Sequence, residues 1–190
     1  MADIKLGYDR VTEILYPFSG LSSIPEHIIR HAAERGTKVH NICESIMQGM
    51  GEWGADEETQ PYVDSFNKWW LLGHKVVCIE ERFYDDELMI TGQVDMIIDT
   101  EDGLSIVDLK TSSKESKTWE LQGAAYAYMA RKAGYDIKKI IFLHLNKLGG
   151  EPKVITYPDN YELFRKTYDV HKHFFRKSRK PRKTEEPLSA

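Results

Sequence analysis

Two spacings of apolar residues alternate along the chain. In "IPEHIIRHAAERGTKVHNICESIMQGM" the apolar positions fall three and four apart, with Val39, Ile42, Ile46 and Met47 in one stripe. That period predicts an amphipathic helix. Pro25 suits its first turn and Ser22 or Ser23 its cap, while Gly36 either interrupts it or admits a close neighbour. "DEETQPYVDSFNKWWLLG" predicts a second helix stopped at Gly73. Ahead of both, "YDRVTEILYPFSGLSSIP" is broken by Pro17, Gly20 and Pro25 and reads as an irregular entry segment. The period then shortens. Residues 75–84, 88–100 and 104–111 predict strands, the last two joined by a tight turn at Thr100-Glu101-Asp102-Gly103. A helix follows in "TWELQGAAYAYMARKAG", with Gly134 just past its end, then strands at 138–146 and 153–157 and a helix over 159–177. This order predicts one α/β domain: a mixed β-sheet with a central hairpin, flanked by helices on both faces.

At 190 residues the chain suits one domain with a sizeable core, and 41% apolar with 29% charged residues is ordinary for a globular protein. No apolar run reaches the length of a membrane span, and "MADIKLGYDR" lacks the apolar stretch of a secretory leader. Two cysteines, Cys43 and Cys78, are too few for a four-cysteine zinc or iron–sulfur site. The expectation is a cytoplasmic protein with reduced thiols and no membrane partner. Net charge is −4, yet residues 165–183 hold nine basic side chains against the single acid Asp169. A basic arm on an acidic body is the footprint of a nucleic-acid binder, although a terminal charge run is as often a solvated tail. The domain is expected to span 1–177, with 178–190 a flexible basic tail.

Two acids in the hairpin change the picture. Asp95 sits inside "VDMII" and Asp108 inside "SIVDLK", where an uncompensated charge is expensive. With Glu101 and Asp102 at the tip, Asp95 lies directly opposite Asp108, Ile97 opposite Ile106 and Asp99 opposite Leu104. Directly opposed side chains have Cβ atoms about 4.5–5.5 Å apart, so the like charges repel. Lys110, two residues beyond Asp108, projects on the same face. A divalent cation between the acids would turn repulsion into coordination, and hard oxygen ligands suit Mg²⁺ or Mn²⁺. Lys110 would stand beside it to orient water or stabilise charge at phosphorus. The same D…D-x-K pattern also arises by chance as a surface ion pair of little worth.

Three further features bear on the choice. His40 lies beside the apolar stripe, as a metal ligand or as an i,i+4 partner of Glu44. Gln122 and Tyr126 are four apart on one helical face with Trp119, among small residues that allow close packing. Glu80 and Glu81 precede the hairpin on opposite faces of their strand, and spacing alone does not say which one meets the acids. Tyr16, Phe18, Trp53, Trp69 and Trp70 are aromatic candidates for stacking on single-stranded bases, with core packing the commoner role.

The order G-T-x-V-H, an acid-bearing strand, G-x-x-D, D-x-K and Q-x-x-x-Y, over roughly residues 10–146, resembles the RecB-like branch of the PD-(D/E)xK nucleases. That branch includes phage-type exonucleases and the mitochondrial genome-maintenance exonuclease. The resemblance implies a restriction-endonuclease-like core and a metal-dependent DNA nuclease, with an exonuclease of recombination, repair or phage replication favoured. A DNA-binding accessory protein of the same fold and a structure-specific endonuclease are the alternatives. It implies His40, Asp95, Asp108 and the Leu109 carbonyl as ligands of Mg²⁺ or Mn²⁺, with Glu80 a further candidate. Lys110 becomes catalytic together with Asp95 and Asp108, and Gln122 and Tyr126 bind substrate. Arg176, Lys177, Arg179 and Lys180 would contact the DNA backbone. Val94 stands where the superfamily's name has proline, and the cysteines that bind an iron–sulfur cluster in several relatives are missing, so no such cluster is expected. The implied partners are single-stranded DNA or duplex ends, and a recombination or single-strand-binding protein.

Overall fold

The computed structural model describes residues 7–175. In order, the elements are β1 (Asp9–Arg10), α1 (Val11–Leu15), 3₁₀ turns at Tyr16–Phe18 and Leu21–Ser23, α2 (Glu26–Met47), α3 (Gln60–Trp70), β2 (Lys75–Asp85), β3 (Ile90–Thr100), β4 (Gly103–Lys110), α4 (Thr118–Lys132), β5 (Ile137–His144), β6 (Lys153–Tyr157) and α5 (Tyr161–Phe174). The six strands form one mixed sheet. β1, β3, β4, β5 and β6 lie in that order and β2 also pairs with β3; β1–β3 and β4–β5 are parallel, the other pairs antiparallel.

Each face of the sheet has its own core. On one, Ile14 of α1, Ala125 and Met129 of α4 and Phe164 of α5 pack on Ile97, Ile106 and Phe142. On the other, Val39 and Cys43 of α2 with Phe66 and Trp69 of α3 cover Met96, Ile98, Val107 and Leu143. Helices therefore flank both faces, as the residue pattern predicts. Both cysteines are free thiols. No described helix is long and apolar enough to cross a membrane.

Several boundaries differ from the sequence pattern. The residue that caps α2 is Pro25, not Ser22 or Ser23, which belong to a 3₁₀ turn whose own Ser23 hydroxyl donates to Gly20. Gly36 does not interrupt α2; a Cβ there would stand 3.3 Å from Thr111 Oγ1, so the glycine permits a close approach of the helix to the residue that follows β4. α3 begins only at Gln60 because Asp56 and Thr59 close a turn on each other first. β3 begins at Ile90, after a turn in which the Leu88 amide donates to Asp85 Oδ1 and Met89 takes φ +55°. The short helix α1 falls within what the pattern reads as an irregular entry segment. The final helix ends at Phe174 with Phe175 as its cap, and residues 176–177 of its expected span lie outside the described residues.

Candidate metal and catalytic site

The hairpin register agrees with the sequence pattern from the turn as far as Met96↔Val107, with Ile97↔Ile106 and Asp99↔Leu104 as expected. It does not continue to Asp95 and Asp108. Strict alternation would put residues 94 and 97 on opposite faces, yet Val94 and Ile97 both enter the core under α4, while Met96 enters the other. The irregularity at Asp95 removes the direct opposition of two carboxylates. In its place the Leu109 amide donates to Asp95 Oδ2 at 2.6 Å, which offsets part of the charge.

The other Asp95 oxygen faces α2. His40 Nδ1 donates to Asp95 Oδ1 at 3.0 Å. Glu80 arrives from β2, where it takes φ +52°, a left-handed backbone that is unfavourable for a residue with a Cβ. Such strain is kept where it serves a site, and here it accompanies the entry of Glu80. One ligand atom each from His40, Glu80 and Asp95 lie within 4.8 Å of one another. Gln93 Nε2 donates to Glu80 Oε2 at 2.6 Å, and Gln93 Oε1 accepts from Arg82 across the β2–β3 pair.

Asp108, Lys110, Gln122 and Tyr126 form an adjoining group. Lys110 Nζ is 2.5 Å from Asp108 Oδ2. This close ion pair is the only partner that oxygen has among the described residues. Gln122 joins the group by three contacts: its Nε2 donates to Asp108 Oδ1 and lies 3.1 Å from the Tyr126 hydroxyl, and its Oε1 accepts from Lys110. Gln122 and Tyr126 are buried and face the sheet rather than solvent. Gly92 makes the room: a Cβ there would sit 2.3 Å from Tyr126 Cε1.

Protonation follows from this geometry. Burial works against a charged His40, but the charge and hydrogen bond of Asp95 outweigh it and lift the imidazole to about 9. Burial would raise Asp95, yet His40, the Leu109 amide and Lys110 hold it below the usual carboxylate range. Burial, with the negative charge of Asp95, raises Glu80 to about 7. Burial also raises Asp108 to about 6, with Asp95 adding to the effect and Lys110 opposing it.

Of the residues that the sequence singles out, His40, Glu80, Asp95, Asp108, Leu109, Lys110, Gln122 and Tyr126 all meet in this region. Arg176, Lys177, Arg179 and Lys180 lie outside the described residues. Among the aromatic candidates Trp69 is buried, whereas Tyr16, Phe18 and Trp53 are exposed. Gln93 and Arg82 join the site without having stood out in the sequence; Gln93 is two residues before Asp95, and a period of two is the signal that could have found it. The donor set fits a hard divalent cation. It combines an imidazole nitrogen and carboxylates on one centre, with the buried carboxylate of Asp108 beside it.

No curated protein matches the chain. The family model described as the PD-(D/E)XK nuclease superfamily matches residues 24–180, a span that contains His40, Glu80, Asp95, Asp108, Lys110 and Gln122.

Proposed function

Since the chain belongs to the PD-(D/E)XK nuclease superfamily, we propose that it hydrolyses phosphodiester bonds of DNA with Mg²⁺ or Mn²⁺, as an exonuclease of the RecB-like branch acting on linear or single-stranded DNA. Recombination, repair or phage replication would be its setting, in a cytoplasmic compartment, with a recombination or single-strand-binding protein as companion. The observation that carries this reading is the convergence of three carboxylates, an imidazole and an ammonium, drawn from α2, β2, β3 and β4, at the irregular end of the hairpin.

Asp95, His40 and Asp108 would hold the cation, with Glu80 and the Leu109 carbonyl as further ligands. When bound, a divalent cation polarises a phosphoryl oxygen and lowers the pKa of water. The chain's own groups supply the rest. Lys110 stands against Asp108 with its charge aimed at the same space, placed to orient water or to stabilise negative charge at phosphorus. Gln122 grips Lys110 and Asp108 together and Tyr126 holds Gln122, so the ammonium keeps its aim without substrate. Arg176, Lys177, Arg179 and Lys180 would add backbone contacts that carry no sequence information.

Purified wild type and Lys110→Ala would be given linear single- and double-stranded DNA labelled at either end, and closed circles, with Mg²⁺, Mn²⁺ or EDTA. The expected result is metal-dependent loss of linear DNA with circles spared, and a rate at least about 100-fold lower in the variant. Cutting of circles would instead mark an endonuclease. Binding without cleavage under either metal would leave a DNA-binding accessory protein.

A further inference from the structure

A cleft of 670 Å³ opens beside the catalytic group. One wall comes from the entry segment, where α1 and the two 3₁₀ turns present Leu15, Tyr16, Phe18, Leu21 and Ile24. Tyr16, Phe18, Leu21 and Ile24 are between 36% and 45% exposed, so four large apolar side chains face solvent together instead of joining the core. The opposite lip is the loop after β4, residues 112–117, with Thr118 at the start of α4; it carries hydroxyls and the ammoniums of Lys114 and Lys117. Its acid, Glu115, is neutralised by an ion pair with Lys153. At the inner end the lining includes Gln122, the side chain that holds Asp108 and Lys110.

We propose that this cleft is a subsite for unpaired nucleobases, which makes single-stranded nucleic acid the substrate form gripped at the site. The inference rests on the nuclease reading above. An apolar wall facing a basic, hydroxyl-bearing lip matches the two sides of a single strand: bases lose water against aromatic and aliphatic surface while phosphates and sugars meet ammonium and hydroxyl groups. A duplex keeps its bases stacked inside and turns phosphates outward, and would leave the wall of Tyr16, Phe18, Leu21 and Ile24 uncovered. The continuity through Gln122 fixes the direction. A strand lying in the cleft leads its backbone to Lys110 and the acids.

The test measures binding, with cleavage stopped by EDTA, by fluorescence anisotropy of the full chain. Three probes of equal length and label are compared: oligo-dT, an abasic oligonucleotide with the same phosphates, and a blunt duplex. Wild type is expected to bind oligo-dT at least about tenfold more tightly than either of the others, since each stacked base contributes to affinity. Phe18→Ser combined with Leu21→Ser is expected to reduce oligo-dT binding to the abasic level. Abasic binding by that variant and its circular dichroism report whether it is folded, and Tyr16→Ala gives a second, milder variant. Equal binding of oligo-dT and abasic probe by wild type would overturn the proposal, as would a folded double variant that keeps the base preference. A parallel digestion with Mn²⁺ separates the two readings. DNA cut without base preference removes the cleft alone, whereas base preference without cutting supports the cleft and removes the nuclease reading.

Discussion

Three carboxylates within one small region stay together because different neighbours offset each: the charge of His40 and the Leu109 amide at Asp95, the charge of Lys110 at Asp108, and a hydrogen bond from Gln93 at Glu80. The pH behaviour follows. In the protein without metal, Glu80, Asp108 and His40 all have pKa values raised above 4.5, 3.8 and 6.5, to about 7, 6 and 9. A raised group stabilises the fold fully below its ordinary pKa and loses that contribution as pH rises through the folded value. Stability in EDTA is therefore expected to fall between about pH 4 and 9, read as Tm. Cation binding has the opposite sign, because it must displace these protons, and its apparent affinity is expected to rise over the same window by up to about tenfold per pH unit for each proton released. Calorimetric titration with Mn²⁺ in buffers of different ionisation enthalpy measures that release. Glu80→Gln is expected to weaken Mn²⁺ binding by about 10-fold or more while leaving the melting profile of the metal-free protein intact or slightly improved, since it removes a charge crowded by Asp95. Asp95, Asp108 and Lys110 are legible in the sequence because a carboxylate inside an apolar run is costly unless it is compensated, and period two puts Lys110 on the face of Asp108, whereas spacing alone leaves His40 either a ligand candidate or a partner of Glu44. Spacing alone does not tell whether Glu80 or Glu81 meets the acids, since the direction of Glu80 depends on a left-handed backbone that no residue type announces; only the resemblance singles it out.

At the scale of elements, α4 is built to lie close to the sheet. Gly123 has no conformational need for glycine, yet a Cβ there would stand 2.3 Å from Ile140 Cγ2 and 2.9 Å from Phe142 Cε2. Gly123→Ala would gain up to about 1 kcal/mol in helix propensity, but overpacking costs about 1–3 kcal/mol and is expected to win. A Tm lower by several degrees in thermal denaturation is the sign to look for. Any tilt of α4 that relieves the clash also moves Gln122, so the same variant is expected to lose activity beyond what its stability explains. The long helices and the hairpin turn were legible from periodicity. α1 was not, because five residues, Val11–Leu15, are too few to display a period. The break in the ladder at Asp95 has another reason: register arithmetic assumes a regular pleat, a bulge is what disturbs it, and no residue type marks where one falls.

For the molecule as a whole, the two cores pin the site between them: α2 brings His40 from one side of the sheet and α4 brings Gln122 from the other. The site is incomplete without both layers. Long-range charge lies elsewhere. Residues 176–190 carry six of the basic side chains and two acids, and a chain ending at Phe175 is expected to show a salt dependence of single-strand binding with a slope smaller by up to about 4, on roughly 0.7 per phosphate contact. An unchanged slope would remove those residues from the interface. Where this segment is rooted has its own consequence. Phe175 meets Phe18 edge to face, with ring centroids 6.1 Å apart, so the last described turn closes on the apolar wall of the cleft. Under the proposed function, the basic run that begins at Arg176 would hold a slipped strand near that wall, and recapture would be governed by local concentration rather than by diffusion.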